Sequence, residues 1–226
     1  MGGRFLVAAA LVTVLTTGAL TACTAPPAVS PGKPAPSLPA DSVAYDDIAF
    51  QTTRQPVFDN ACASLPVDAL RAVGLTSRAT QDKNFGCTFW TDPKGRIWIQ
   101  TLPPPLRDPD APPVPPFATY WNGANRFGAS FQDPAYFQRM IMLDRYYATQ
   151  VLAYSAAGPD CETIVDTGSE QVFLVAAGPP DNGTKYDQRN HEEARRVAAD
   201  FCPRSQQIAE KLLAALDPDG GSLAAA

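Results

Sequence analysis

Gly86-Cys87-Thr88-Phe89-Trp90-Thr91, then Asp92-Pro93-Lys94-Gly95, then Arg96-Ile97-Trp98-Ile99-Gln100-Thr101 decide the reading of the fold. The two flanks are rich in aromatic and β-branched residues, which suit a pleated, half-buried surface. Between them, proline at the second turn position and glycine at the fourth suit a type I turn with a bulge. The stretch therefore predicts a β-hairpin. Trp98 is expected to pack in the core or on a sheet face, not to form a ligand platform.

Further strands are expected downstream. Arg145–Ser155, Cys161–Asp166 and Gln171–Ala177 are apolar, β-prone runs. Gly158-Pro159-Asp160 and Thr167-Gly168-Ser169 punctuate them as turns, which gives an antiparallel meander. Upstream of the hairpin, Tyr45–Asp59 reads as an extended segment. Pro66–Val73 reads as a short helix with proline near its first position and Gly74 as its stop.

After the meander the pattern turns helical. His191–Phe201 is rich in helix formers, and Pro203 either interrupts that helix or opens a new one. Ile208, Leu212 and Leu216 then recur every four residues, one apolar face of a final helix that Asp217–Gly221 ends. The expected class is α+β: a single domain with an antiparallel sheet covered by helices and tied by two disulfides.

Two stretches are harder to place. Leu102–Pro116 holds eight prolines in fifteen residues, so no regular element is expected there. Phe117–Phe137 is crowded with aromatics, and Asp133-Pro134 predicts a short helix through about Met140. Tyr120, Trp121, Phe127 and Phe131 are the candidate binding groove, although such residues more often cover a sheet.

The amino terminus gives an address. Arg4 precedes an apolar, small-residue run from Phe5 to Leu20, sixteen positions, which has signal-peptide length and is short for a membrane span. Leu20-Thr21-Ala22-Cys23 then reads as a lipobox, with the Cys23 thiol as acceptor of a diacylglyceryl group. Residues 1–22 are the expected signal peptide. Residues 23–44 are a lipidated cysteine and a Pro-rich tether, with six prolines between Thr24 and Pro39. Residues 45–217 are the domain and 218–226 a disordered tail. The expected location is the extracytoplasmic face of the cell membrane.

Cysteine arithmetic supports that address. The chain has five cysteines. With Cys23 carrying lipid, Cys62, Cys87, Cys161 and Cys202 remain, an even number outside the cytoplasm, where disulfides persist. Four cysteines allow three pairings. Cys62–Cys87 with Cys161–Cys202 is preferred, because it ties the first helix to the hairpin and the meander to the last helix.

Chemistry is harder to find. Charged residues are 18% of the chain and the net charge is −5, with no basic patch for nucleic acid. The cysteines are singly dispersed and His191 is the only histidine, so no metal site or cofactor is read. His191 lies in a charged helical stretch. No Gly-x-Ser-x-Gly, His-Glu-x-x-His or Gly-rich phosphate loop occurs.

A lipobox, a Pro-rich tether, Phe58-Asp59-Asn60-Ala61-Cys62-Ala63-Ser64-Leu65, Gly74-Leu75, Gly86-Cys87-Thr88-Phe89-Trp90 and the helix Phe201-Cys202 through Leu216 together resemble the actinobacterial lipoprotein family called domain of unknown function 3558. Asn60-Ala61 stands where members show Asp-Pro. The last helix is also similar to that of the disulfide-bonded sensor domain of mycobacterial receptor kinases. The resemblance implies fold and location and carries no activity. The expected function is a non-enzymatic module binding a small ligand or an envelope protein. An envelope hydrolase with an unrecognised site and a purely structural envelope protein are the competing readings.

Overall fold

The computed structural model describes residues 50, 52–59, 61–77, 80–81, 86–91, 95–103, 114–122, 137–155, 158–180 and 190–223. The lipobox, the tether, the turn at 92–94, most of the proline-rich loop, Phe127 and Phe131 lie outside them. Among the described residues, no helix is long and apolar enough to cross a membrane.

The elements are α1 (Ala61–Ser64), α2 (Val67–Ala72), β1 (Thr80–Gln81), β2 (Cys87–Thr91), β3 (Gly95–Leu102), α3 (Pro116–Trp121), β4 (Phe137–Met142), β5 (Tyr146–Ser155), β6 (Gly158–Val165), β7 (Val172–Gly178) and α4 (His191–Leu216). Among the described residues, seven strands form one antiparallel sheet in the order β1-β2-β3-β7-β6-β5-β4. The hairpin forms with Thr88 opposite Trp98 and Phe89 opposite Ile97. The expected meander is β5-β6-β7, and β4 extends it at the far edge. The α+β class with two disulfides holds.

The alternation of side chains along each strand sorts the two faces. Ile97, Ile99, Phe173, Val175, Ala177, Ala148 and Val165 point to one face and pack with α1, α2 and α4. Helix α4 supplies Ile208, Ala209, Leu212 and Leu213, all at most 1% exposed, the 3/4 spacing of a core-facing stripe. The opposite face carries Leu102, Tyr147, Val151, Ile164 and Leu174 under α3.

Both expected disulfides are present. Cys62–Cys87 joins α1 to β2, and Cys161–Cys202 joins β6 to α4. They close spans of 25 and 41 residues, each contributing roughly 3–4 kcal/mol in the chain-entropy model. Gly74 ends the α2 region with φ of 77°, a conformation glycine adopts without a Cβ penalty.

Four expectations are corrected. Phe137–Met140 is strand, not helix: Phe137, Arg139 and Ile141 face one side, Met140 and Met142 the other, and pairing with β5 fixes the choice. Gly158-Pro159-Asp160 is the start of β6, not a turn. Pro159 is tolerated because its ladder with β7 begins only at Cys161, so its missing N–H falls where no partner waits. Helix α4 runs unbroken through Pro203. Residues 218–223 are ordered, with Ser222 fully buried and its N–H donating to Arg145 O at 2.8 Å.

Candidate functional site

Two depressions meet on the outer side of α4 around Pro203. One, about 470 Å³, is lined by Gln138, Gln150, Arg195, Ala198, Ala199, Cys202, Pro203 and Gln206. The other, about 600 Å³, shares Ala199, Pro203 and Gln206 and adds Asp200, Arg204, Gln207 and Glu210. Pro203 lines both. It lacks an N–H for the Ala199 carbonyl, four residues back.

The neighbouring carbonyl is engaged by side chains. Cys202 O accepts from Gln150 Nε2 at 2.8 Å and from Ser205 Oγ at 3.0 Å. Gln150 also donates to Thr163 Oγ1 at 3.1 Å, and Thr163 Oγ1 lies 2.7 Å from Ser205 Oγ. A buried polar network from β5 and β6 thus holds α4 beside its disulfide, and a fully satisfied network of this kind rigidifies its surroundings. Above it the surface offers side-chain amides, two guanidiniums and the small apolar faces of Ala198, Ala199 and Pro203.

The carboxylates in this surface do not converge. Asp200 and Glu210 are ten residues apart on one helix, about 15 Å along its axis, well beyond the spacing of a glycosidase pair. At the amino-terminal end of α4, Asn190, Glu192, Glu193 and Arg196 line a smaller recess of about 190 Å³. Asn190 Oδ1 caps the helix by accepting from Glu193 N at 3.2 Å, and Glu193 lies 3.8 Å from Arg196. Among the described residues no group of His, Cys, Asp and Glu could hold a metal ion.

The aromatic groove is not open at two of its four positions. Trp121 is fully buried and Tyr120 nearly so. The Trp121 ring packs on Tyr147 with centroids 5.6 Å apart and on Phe117 at 6.1 Å. Arg139, on β4, lies over the Trp121 ring and donates Nε to Trp121 O at 2.6 Å. Burial pushes the Arg139 guanidinium below its usual value. These aromatics cover the sheet, which is the more common role of such residues. Among the described residues, four buried donors on this face have no partner: Trp98 Nε1, Gln100 Nε2, Trp121 Nε1 and Thr149 Oγ1. They do not converge either. Gln100 and Thr149 stand three strands apart in one cross-strand row, about 14 Å.

At one end of the sheet the chain closes a polar clasp. Arg54 donates Nη2 to Asp217 Oδ1 at 2.6 Å and Nη1 to Asp217 Oδ2 at 2.9 Å, a bidentate pair. Its Nη1 also reaches Thr167 O at 3.0 Å and Gly221 O at 3.3 Å. Tyr146 Oη donates to Asp217 Oδ2 at 2.9 Å. Burial opposes ionisation of Asp217, but the hydrogen bonds from Arg54 and Tyr146 outweigh it and hold the carboxyl below its ordinary value. Burial and the Asp217 carboxylate push the Tyr146 phenol up. Nothing in the sequence marks this clasp, because its members are 163 residues apart.

Comparisons of the chain with protein-family models, with curated proteins and with solved structures found no match. Family membership is not assigned.

Proposed function

We propose that the chain is a lipid-anchored lipoprotein of the cell envelope whose domain binds a ligand or protein partner and does not catalyse a reaction. The supporting observation is the cysteine bookkeeping. The two disulfides occupy Cys62, Cys87, Cys161 and Cys202, so Cys23, directly behind Leu-Thr-Ala, has no intrachain cysteine left to pair with. Structural disulfides belong to oxidising compartments, and a cysteine in a lipobox there serves attachment. The likeness to the domain of unknown function 3558 lipoproteins agrees with the same reading.

The binding role draws on the surface around Pro203. Amides and guanidiniums over small apolar residues suit recognition of a polar, hydrogen-bonding partner. They do not supply the nucleophile–base or paired-carboxylate geometry that catalysis needs.

The anchor is tested by detergent phase partition of the full chain expressed in its membrane. The native protein is expected in the detergent phase, and Cys23→Ala in the aqueous phase. A Cys23→Ala protein that still enters the detergent phase overturns the anchor. For binding, photo-crosslinkers placed at Gln138 and Gln206 in intact cells are expected to capture a discrete partner that a crosslinker at Val67 does not. Equal capture at all three positions overturns the site.

A further inference from the structure

Asp166 follows β6 and sits where β6 meets β5, its N–H donating to Tyr147 O at 2.9 Å. The residue is 1% exposed. Its Oδ1 accepts from Gly168 N at 2.9 Å and so shapes the turn into β7. Its Oδ2 is buried and has no partner among the described residues. The turn it shapes is the one the clasp grips. Arg54 N donates to Gly168 O at 2.8 Å and Arg54 Nη1 to Thr167 O at 3.0 Å. A Cβ on Gly168 would lie 3.0 Å from Arg54 Cδ and 3.4 Å from Gly221 O.

We infer that Asp166 is a proton-operated latch: with its carboxyl neutral, the β6–β7 turn seats the Arg54 segment and the tail at 217–223, and loss of the proton loosens both. A buried carboxylate with a single donor costs far more than the neutral acid in the same place. Among the described residues the groups around it offer no cation. Tyr147 on β5 faces it, and burial together with the Asp166 charge pushes that phenol up. In the same cross-strand row β7 presents Val172 and β3 presents Leu102, paired with each other. The Arg54 guanidinium is taken by Asp217 and by the carbonyls of Thr167 and Gly221. Burial accordingly pushes the Asp166 carboxyl up to about 7.

The sign follows from linkage. The closed form keeps its proton up to about pH 7, whereas an opened form ionises near pH 4 as a free aspartate does. Opening therefore releases a proton between these limits. The latch is tightest in acid, weakens as pH rises through that window, and weakens no further above it. Asp217 is ionised in both forms across pH 5–7 and adds nothing there.

The test is hydrogen exchange by mass spectrometry on the full chain, with intrinsic rates divided out. Between pH 5 and 7 the opening constants of peptides spanning 52–59 and 217–223 are expected to rise up to tenfold per pH unit, and then to level. A β3 peptide stays constant. Asp166→Asn, which mimics the neutral acid, should hold both peptides protected at every pH. A flat native profile, or an Asp166→Asn profile that keeps the slope, overturns the latch. Should that variant not fold, carboxyl carbon NMR of the native chain decides. An Asp166 midpoint near neutrality supports the latch, and one near pH 4 overturns it.

Discussion

Arg96 and Asp160 form an ion pair across a whole strand: Arg96 is on β3, Asp160 on β6, and β7 runs between them at Gly178. Both side chains are largely buried. The pair can close because Gly178 has no side chain; a Cβ there would stand 2.1 Å from Asp160 Oδ1 and 2.7 Å from Pro159 O. Gly178→Ala should therefore destabilise by about 2–4 kcal/mol, as should Asp160→Ala, since each leaves a buried charge without its partner. Removing both charges together in Arg96→Met/Asp160→Leu should cost less than the sum of Arg96→Met and Asp160→Leu made singly. Urea denaturation of the native chain, these two single variants and the double variant gives the comparison, and strict additivity would refute the pairing.

Gly86 holds a similar position for Trp98. A Cβ on Gly86 would meet Trp98 Nε1 at 1.8 Å, so the indole lies directly on the glycine backbone. Gly86→Ala is expected to displace Trp98, shift the tryptophan emission, and cost about 1–3 kcal/mol, the usual range for overpacking. An unchanged emission spectrum would refute the contact.

The β4–β5 turn carries a strain that substitution can relieve. Leu143 and Asp144 have φ of 53° and 56°, two successive left-handed residues in the three-residue connection between the paired Met142 and Tyr146, where Asn and Gly are favoured. Leu143 is partly exposed and lies outside the core. Leu143→Asn/Asp144→Gly should raise the thermal midpoint, with a gain of about 1 kcal/mol.

The clasp has a pH signature opposite to that of Asp166. Asp217 is held below its ordinary value, so its contribution is present above about pH 4 and lost as pH falls through the folded-state value. Asp217→Asn should be less stable than the native chain at pH 7, and the gap should close in acid. A gap that stays constant down to pH 2.5 would exclude ionic stabilisation by Arg54.

Pro203 separates stability from recognition. Pro203→Ala restores an N–H to the Ala199 carbonyl and should stabilise α4, by about 1–3 kcal/mol. The same change removes the Pro203 ring from the lining of both depressions, so partner capture at Gln138 and Gln206 should fall. A variant that is more stable and captures its partner undiminished would remove Pro203 from the binding surface.

The hairpin, the central strands and the last helix were legible because local signals and tertiary demands agree there. Pro93 and Gly95 mark a turn between β-prone flanks, and Ile208, Leu212 and Leu216 keep a helical period. At Phe137–Met142 apolar side chains pack on both faces of the sheet, so no clean polar alternation announces a strand, and a capping signal upstream pointed to helix instead. Gly158-Pro159 carries turn residues that the strand tolerates only because the neighbouring ladder starts later. The Pro203 surface and the Arg54–Asp217 clasp left no signal in any local window. They arise from residues that meet only once the sheet is built.

Phe50 and Leu223 both pack against the sheet face under α3, and Arg54 grips Asp217 beside them. The two ends of the domain therefore leave the core side by side. A short flexible linker between them should allow circular permutation, and the domain could be inserted into a surface loop of a host protein without opening its sheet.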